Sequence, residues 1–213
     1  MPRVSDLVDR IHRLQTTILR EQIERKIRQF RTLGRFGTDD EVFSELCFCI
    51  LTANSQAKVG VRIQRDLGQD AFLRMPEREL ANRLRCLGQR FYKIRAKYIV
   101  EAREFRNIRP LLARFSNPVA KRDWLSENIL GISYKEGSHF LRNIGELDVA
   151  ILDLHVIRIL NKYRVLRSLK RPSSRKAYLS AEKRVRTLSN LVGMPMGYLD
   201  LYLWHMETGE LYK

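Results

Sequence analysis

The sequence predicts an all-α protein with two helical subdomains that flank a cleft. Apolar residues recur mostly at three-, four- and five-residue steps, the spacing of the buried face of a helix. Alternating apolar and polar residues, the pattern of a half-buried strand, are nearly absent. Glycine, proline and capping residues punctuate the apolar segments where helices are expected to begin and end.

The first element is predicted from an apolar stripe near the N-terminus. Its members are Leu7, Ile11, Leu14, Ile18, Ile23, Ile27 and Phe30. Because these residues would share one face of a helix, we expect a single long N-terminal helix.

The following helices are predicted from their end signals. Thr38 and Glu41 form a capping-box pattern ahead of an apolar run that extends to Leu51. Two glycines are expected to end helices and two prolines to begin them, namely Gly68, Gly88, Pro76 and Pro118. Further helices fit "FYKIRAKYIVEAREFRN", "RKAYLSAEKRVRTLSNLVG" and "MGYLDLYLWHMETG".

The composition indicates a folded protein with a polyanionic partner. The chain has 213 residues, of which 44% are hydrophobic, enough for one large domain or two small ones. Its formal net charge is +16, and its calculated pI is about 10.2. Since solubility needs far less charge, this surplus favours nucleic acid as the partner, with an acidic membrane surface second.

Cysteine usage and hydropathy point to the cytoplasm. Cys47, Cys49 and Cys86 are too few for a complete disulfide framework or a four-thiolate cluster, and the first two lie in the apolar run "FSELCFCIL". The start "MPRVSDLVDRIHRL" lacks the unbroken apolar core of a signal peptide, and no run approaches a membrane span. We therefore expect a reducing cytoplasm, no membrane association, and a place at the nucleoid.

One segment, "ENILGISYKEGSHFL", has the pattern of a helical hairpin. Backbone N–H groups of its glycine turn and of the second helix would form an anion site suited to a DNA phosphate. Taken alone, such a segment is more often a plain structural turn. A basic loop, "RSLKRPSSRK", either follows a phosphate backbone or is simply solvated.

Several segments together carry a family resemblance. "GISYKEGSHFLRN" resembles the helix-hairpin-helix of the type-2 8-oxoguanine DNA glycosylase/AP lyases, in which the lysine after the hairpin is the catalytic nucleophile. "AILDLHVIRIL" resembles the segment that carries the family's catalytic aspartate. "ILTAN", "RFYKIRAKYI" and "DLYLWHMETGELYK" also match, in the expected order, so that the resemblance runs from about Thr38 to Lys213.

The resemblance implies an arrangement of subdomains around a DNA cleft. Residues 46–145 would form a central helical subdomain that ends in the hairpin. Residues 1–45 would pack with a C-terminal subdomain formed by residues 146–213. Two positions differ from the usual family hairpin: Ser133 stands in place of a glycine, and Gly137 in place of an alanine. A left-handed backbone at Ser133 would cost about 1–2 kcal/mol.

By resemblance, Lys135 is the nucleophile and Asp153 the supporting carboxylate. The amine of Lys135 would attack the sugar C1′, displace the base and leave a Schiff base that permits β-elimination. Without the resemblance, Lys135 would be interpreted as a helix-start lysine that pairs with phosphate. Asp153 also fits a helix N-cap, and a carboxylate there can stabilise positive charge on the sugar.

The resemblance also implies roles for Asn54, Phe91 and Lys213, whereas Trp204 and the hairpin residues are candidates by their type and place in the chain. Asn54 would enter the gap left by a flipped nucleotide, Phe91 would wedge the opposite strand, and Trp204 would stack on the extruded base. Their simpler interpretations are a helix-end cap, a core phenylalanine and a core tryptophan. Gly131 and Ser133 would contact the DNA backbone. Lys213, otherwise a mobile tail, would help to distinguish 8-oxoguanine from guanine.

The expected function is excision of 8-oxoguanine from double-stranded DNA with associated lyase activity, by a monomer. No nucleotide-binding loop or zinc spacing appears, and the resemblance implies catalysis without a metal or other cofactor. His139 and His155 are interpreted as core or backbone-bonded histidines. Two alternatives remain: the same machinery acting on another damaged base, and a non-catalytic helix-hairpin-helix DNA-binding module.

Overall fold

The computed structural model describes residues 2–213, which are all-α as the apolar spacing predicts. The first six helices are α1 (Val4–Gln15), α2 (Ile18–Phe36), α3 (Asp39–Thr52), α4 (Ala57–Arg74), α5 (Glu77–Cys86) and α6 (Tyr92–Ala102). A 3₁₀ turn (Arg103–Phe105) follows, and then α7 (Ile108–Leu112), α8 (Pro118–Asn128), α9 (Tyr134–Asn143), α10 (Leu154–Lys162), α11 (Arg175–Val192) and α12 (Met196–Thr208).

The prediction of a single long N-terminal helix is wrong, because the helix is interrupted between α1 and α2. Thr17 has an extended backbone, and its side chain accepts a hydrogen bond from the backbone N–H of Leu19 at 3.3 Å. A threonine hydroxyl offers such a cap as an alternative to helical hydrogen bonding. Ile18, which the stripe included, is 66% exposed as a result.

Most of the predicted helix ends are confirmed. The backbone N–H of Thr38 donates to Glu41 Oε2 at 2.7 Å, which completes the capping box at the start of α3. Pro76 is the N-cap of α5, and Pro118 is the first residue of α8. Gly68 has φ 70° and ψ 179°, which interrupts the helix as predicted, and a second helical segment of α4 continues from there to Arg74.

Two hydrophobic clusters form the interior. The first joins α1 and α2 to α10, α11 and α12, and the second is built mainly from α3 to α9. Helix α9 belongs to the boundary between them: Phe140 lies in the second cluster, whereas Tyr134 packs against the first. Val42, which precedes residue 46, lies in the second cluster. The division at residues 1–45, 46–145 and 146–213 stays a prediction.

A buried ion pair connects α8 to α11. Arg122 donates from Nη1 to Glu182 Oε1 at 2.6 Å and from Nη2 to Glu182 Oε2 at 2.8 Å. The backbone N–H of Ala150 also donates to Glu182 Oε1, at 2.9 Å. Removing one partner of such a pair typically destabilises a protein by about 3–5 kcal/mol. The pair therefore fixes the start of the segment that leads into Asp153.

The three cysteines are free thiols in two different environments. Cys47 and Cys49 are buried on α3, as their apolar surroundings predict, and Cys86 is exposed at the end of α5. Burial raises the pKa of both buried thiols well above the usual value. Across residues 2–213, no helix has the length and hydropathy that a membrane crossing needs.

Candidate active site

A cleft of about 910 Å³ opens between the turn after α3, the N-terminal part of α9, the start of α10, and α12 with the chain end. Five of the site residues predicted from the sequence line it: Asn54, Lys135, Asp153, Trp204 and Lys213. A neighbouring cavity of about 720 Å³ is lined by the other three, Phe91, Gly131 and Ser133, and shares Asn54 and Lys135 with the first. The structure thus brings together residues that are widely separated in the chain.

Lys135 lies in the first turn of α9, and its side chain reaches the cleft. Its Nζ lies 2.8 Å from Oε1 of Glu136, and 15% of the side chain is exposed. Burial acts to raise the pKa of Glu136, but the charge and hydrogen bond of Lys135 and the hydroxyl of Ser133 outweigh it, so that this pKa is lowered. A carboxylate that stays charged beside the amine can hold it in place.

The backbone at Ser133 does not have the strained left-handed conformation that was considered from the sequence. Ser133 has φ −100° and ψ −176°, an extended conformation that any residue adopts, so the predicted cost of a left-handed serine does not arise. Its backbone N–H and its hydroxyl both donate to Glu136 Oε2, which forms a capping box. The left-handed residue is Gly131, with a φ of 83°, and a Cβ there would lie 2.6 Å from Tyr98 Cδ2.

Asp153 is the N-cap of α10 and also lines the cleft. Its Oδ1 accepts a hydrogen bond from the backbone N–H of Val156 at 2.8 Å. Burial raises the pKa of Asp153, although the Val156 bond and the positive charge of Lys135 act in the opposite direction. The capping interpretation is therefore correct, and it is compatible with a second role because the carboxyl group remains within the electrostatic reach of Lys135.

A second buried ion pair lies within the electrostatic influence of Asp153, and sequence reasoning missed it. Arg142 Nη1 is 3.6 Å from Asp200 Oδ2, and both residues are buried and line the cleft. Burial raises the pKa of Asp200 to about 7, and the charge of Asp153 adds to that effect against Arg142 and Lys135. The sequence did contain a signal for this pair. Each of the two helices is mostly buried on one face, and each has a charged residue on that face.

Asn54, which lines both cavities, and Phe91, which lines the second, are both exposed. Asn54 has a left-handed backbone with a φ of 55°, and its Oδ1 accepts a hydrogen bond from Arg171 Nη1 at 2.7 Å. Phe91 is 37% exposed and lies within 5.0 Å of the guanidinium of Arg90. The alternative of a core phenylalanine is therefore wrong.

Trp204 forms one wall of the cleft. Its ring meets that of His155 edge to face, with centroids 4.7 Å apart. Its Nε1 is buried and has no hydrogen-bond partner within residues 2–213. The residue is partly buried and lines the cleft.

Lys213 is held against the cleft instead of extending into solvent. Its Nζ donates to Glu45 Oε2 at 2.7 Å and lies 4.5 Å from the centre of the Phe48 ring. His139, buried beside it, has a pKa lowered well below the usual value, chiefly by burial and by the charges of Arg142 and Lys135. His139 is thus a buried neutral imidazole, in keeping with the core interpretation.

Comparison with known proteins extends the agreement to the whole chain. Residues 23–194 match the family model for 8-oxoguanine DNA glycosylase. The 8-oxoguanine DNA glycosylase/AP lyase of Korarchaeum cryptofilum is 44% identical over 99% of this chain and 99% of that protein. The corresponding protein of Methanocaldococcus jannaschii is 42% identical over 97% and 99%.

Solved structures agree in fold. The M. jannaschii enzyme in complex with a 15mer DNA containing 8-oxoguanine has a TM-score of 0.93 at 41% identity, over 97% of this chain and 99% of that chain. The Thermotoga maritima 8-oxoguanine DNA glycosylase has a TM-score of 0.93 at 36% identity, over 99% and 100%. The architecture is that of the helix-hairpin-helix DNA glycosylases. Within that class, the chain belongs to the 8-oxoguanine DNA glycosylase family.

Proposed function

We propose that this protein is a bifunctional DNA glycosylase/AP lyase that excises 8-oxoguanine from double-stranded DNA through a lysine Schiff base. One observation carries the proposal: Lys135 and Asp153 line the same cleft as Trp204 and the terminal Lys213. A hairpin that only binds DNA would not need these four residues to line one cleft. The family membership and the net charge of +16 support the same conclusion.

The first step is extrusion of the damaged nucleotide, because its glycosidic bond is inaccessible inside the duplex. Asn54 and Lys135 line both cavities, Phe91 lines the second, and Asn54 and Phe91 are exposed. Asn54 would occupy the gap in the stack, and Phe91 would wedge the opposite strand. Gly131 of the hairpin would hold the nearby phosphate backbone through its N–H group. Ser133 would contribute to DNA binding by shaping the turn, because its own N–H donates to Glu136 Oε2.

The chemical step begins with attack of Lys135 Nζ on C1′ of the extruded nucleotide. A bond forms between Nζ and C1′ while the bond from C1′ to the base nitrogen breaks, and its electrons leave with the base. The attacking amine is neutral, and once bonded to C1′ its nitrogen passes a proton to the departing base. The nitrogen lone pair then forms the C=N bond as the C1′–O4′ bond breaks and O4′ takes up a proton, which gives the protonated Schiff base. Removal of a proton from C2′ then expels the 3′ phosphate by β-elimination.

The carboxyl group of Asp153 would act as positive charge develops on the sugar. It is fixed by its bond to Val156 and lies in the electrostatic reach of Lys135. A preorganised carboxylate stabilises such charge without reorientation at the moment of reaction. Trp204 would stack on the base and Lys213 would read its oxidised edge. We expect a monomer that acts in the cytoplasm, at the nucleoid, with no cofactor.

Borohydride trapping tests this function. Reduction should covalently link the wild-type protein to a duplex that contains 8-oxoguanine, since borohydride reduces a Schiff base to a stable amine. Lys135→Gln should bind the duplex without being trapped. Lys58→Gln is a matched control, because Lys58 also lines the cleft but is exposed, and it should be trapped normally.

The outcomes of borohydride trapping distinguish the proposed function from its alternatives. Trapping that survives Lys135→Gln would assign the nucleophile to another residue. Binding without any trapping or base release by the wild type would leave a DNA-binding module. Trapping on a different lesion, with none on 8-oxoguanine, would keep the chemistry but change the substrate.

A further inference from the structure

The turn after α3, which carries Asn54, is held by a buried glutamine from another part of the chain. Gln89 is 2% exposed and is not among the described residues that line either cavity. Its Nε2 donates to the backbone carbonyl of Leu51 at 2.9 Å, and its Oε1 accepts from Ser55 Oγ at 2.8 Å. Because Leu51 and Ser55 lie on either side of Asn54 in the chain, one amide group holds both flanks of the turn.

A buried arginine holds the same turn. Arg95 is 6% exposed, and its Nη2 donates to the backbone carbonyl of Ala53 at 2.6 Å. A cation is favourable there, because α3 ends at Thr52 and the C-terminal end of a helix carries partial negative charge. Asn54 has a φ of 55°, a left-handed conformation that is uncommon outside glycine. The two buried side chains therefore stabilise the backbone conformation that presents Asn54.

Both holding residues come from the segment that presents Phe91. Gln89 precedes Phe91 by two positions, and Arg95 follows it by four. Phe91 is the N-cap of α6, and its carbonyl accepts a hydrogen bond from the backbone N–H of Arg95 at 3.0 Å. The guanidinium of Arg95 also lies 6.0 Å from the centre of the Phe91 ring. The position of Phe91 is thus tied to that of Asn54 through buried contacts.

The simplest interpretation is that these contacts only satisfy the carbonyls at the end of a helix. Arg103 makes contacts of that kind, since its Nε and Nη2 donate to the carbonyls of Phe72 and Met75 at 2.8 and 2.5 Å, where α4 ends. Among the described residues, none of 72–75 lines either cavity of the site. The turn after α3 differs, because Asn54 and Phe91 are both exposed and line the cavities.

We propose that Gln89 and Arg95 are positioning residues that hold Asn54 and Phe91 at a fixed spacing, so that both enter the opened duplex as one unit. This inference rests on the proposed function, which it deepens by assigning the control of duplex opening to buried residues. Opening a base pair exposes gaps in both strands, and the inserted side chains offset the lost stacking. Two side chains that are already held at the right spacing lose little further freedom on insertion, which lowers its cost.

Excision from paired and unpaired DNA separates opening from chemistry. One duplex has 8-oxoguanine opposite cytosine, and the other has it within a bubble of mismatched bases that needs little opening. Gln89→Met keeps the approximate size of the side chain but removes both polar atoms. It should lower the paired-to-bubble ratio of single-turnover rates about tenfold, the scale of a lost buried hydrogen-bonded contact. Arg95→Met should lower the same ratio.

Two further variants make the test specific. Arg103→Met is the matched control: it removes the contacts at the end of α4 and should leave the ratio unchanged, while thermal unfolding records its loss of stability. In the double variant Gln89→Met/Asn54→Gly, the loss from Asn54→Gly should be smaller than in the wild type. Such non-additivity is expected because Gln89 acts through Asn54.

A fluorescence experiment measures opening without any bond cleavage. All proteins carry Lys135→Gln, and 2-aminopurine beside 8-oxoguanine becomes brighter when its neighbouring bases unstack. At saturating protein, the rise in fluorescence should be smaller when Gln89→Met is added and unchanged when Arg103→Met is added. Because the DNA is saturated, a difference in amplitude reports the extent of opening and not the affinity.

Each part of the test can overturn the inference. An unchanged ratio in Gln89→Met and Arg95→Met, or equal slowing on both duplexes, would reduce the two residues to helix caps. Additive losses in the double variant would show that Gln89 does not act through Asn54. A wild type that excises 8-oxoguanine from neither duplex would refute the proposed function, whereas the fluorescence comparison would still decide the role of Gln89. Fluorescence that does not rise with Lys135→Gln alone, or that rises equally with Gln89→Met, would refute that role.

Discussion

Arg171 and Asn54 join the two sides of the cleft through one hydrogen bond, from Nη1 to Oδ1 at 2.7 Å. Asn54 follows α3 in the second cluster, and Arg171 lies in the basic loop between α10 and α11. Both side chains are exposed, so water competes for the bond and its net contribution is small. A weak bond across a DNA-binding cleft can be exchanged for contacts with DNA.

Asn54→Gly should slow excision of 8-oxoguanine from duplex DNA by about tenfold or more, with little change in stability. Glycine adopts the left-handed backbone of Asn54 without strain, so the substitution removes the amide alone. Single-turnover kinetics and thermal unfolding measure the two effects. Arg171→Ala is the control variant, because it also removes the hydrogen bond between Arg171 and Asn54 but keeps the side-chain amide of Asn54. Wild-type excision by Asn54→Gly would contradict the role of Asn54 in the opened duplex.

Asp153→Asn should reduce base release by orders of magnitude while DNA affinity changes little. Asparagine caps a helix about as well as aspartate, so α10 is retained and the effect reports the lost charge. Single-turnover release of base and equilibrium binding to a lesion duplex should be measured together, because a loss confined to the rate is a loss of transition-state stabilisation. If the variant releases base at the wild-type rate, Asp153 is only a helix cap.

Binding to DNA should weaken steeply with salt, because the +16 charge releases counterions from several phosphates. The double variant Lys170→Gln/Arg171→Gln in the basic loop should reduce the slope of log affinity against log salt by about 0.9 for each phosphate contact that is lost. Fluorescence anisotropy across a salt series provides both slopes. A flat response of the wild type would show that the charge is not directed at DNA.

Asp200 should make stability depend on pH. Its pKa is raised to about 7 in the folded protein, so folding favours the protonated acid. That contribution is complete below the unfolded value and is lost as the pH rises through the folded one. Asp200→Asn mimics the protonated form and should therefore gain stability relative to the wild type between about pH 4 and about pH 7. Urea unfolding across this range tests it, and parallel profiles would refute it.

The sequence was informative wherever a local rule decides the structure. The capping box at Thr38 and Glu41 uses two side chains and the backbone between them, so no distant residue is needed to specify it. The break after α1 shows the limit of apolar spacing. Ile18 continues the stripe in sequence but not in space, because Thr17 caps a new helix.

For the site, too, the sequence identified some of the residues and not others. Lys135 and Asp153 belong to segments that a family pattern marks, and the structure places both in one cleft. Glu45 stands in the apolar run of α3, where sequence alone does not identify the cation that faces it. Its partner is the last residue of the chain, and only the packing of the two clusters brings them together.

The arrangement of the cysteines has a practical consequence for fluorescence measurements on this protein. A maleimide reacts with a thiolate, and the two buried thiols are both shielded and kept protonated by their raised pKa. Cys86 is exposed and is not among the residues that line the cleft. A fluorophore should thus attach at one defined place on α5, so that energy transfer to a dye on the DNA reports the distance between α5 and the duplex without removal of any native cysteine.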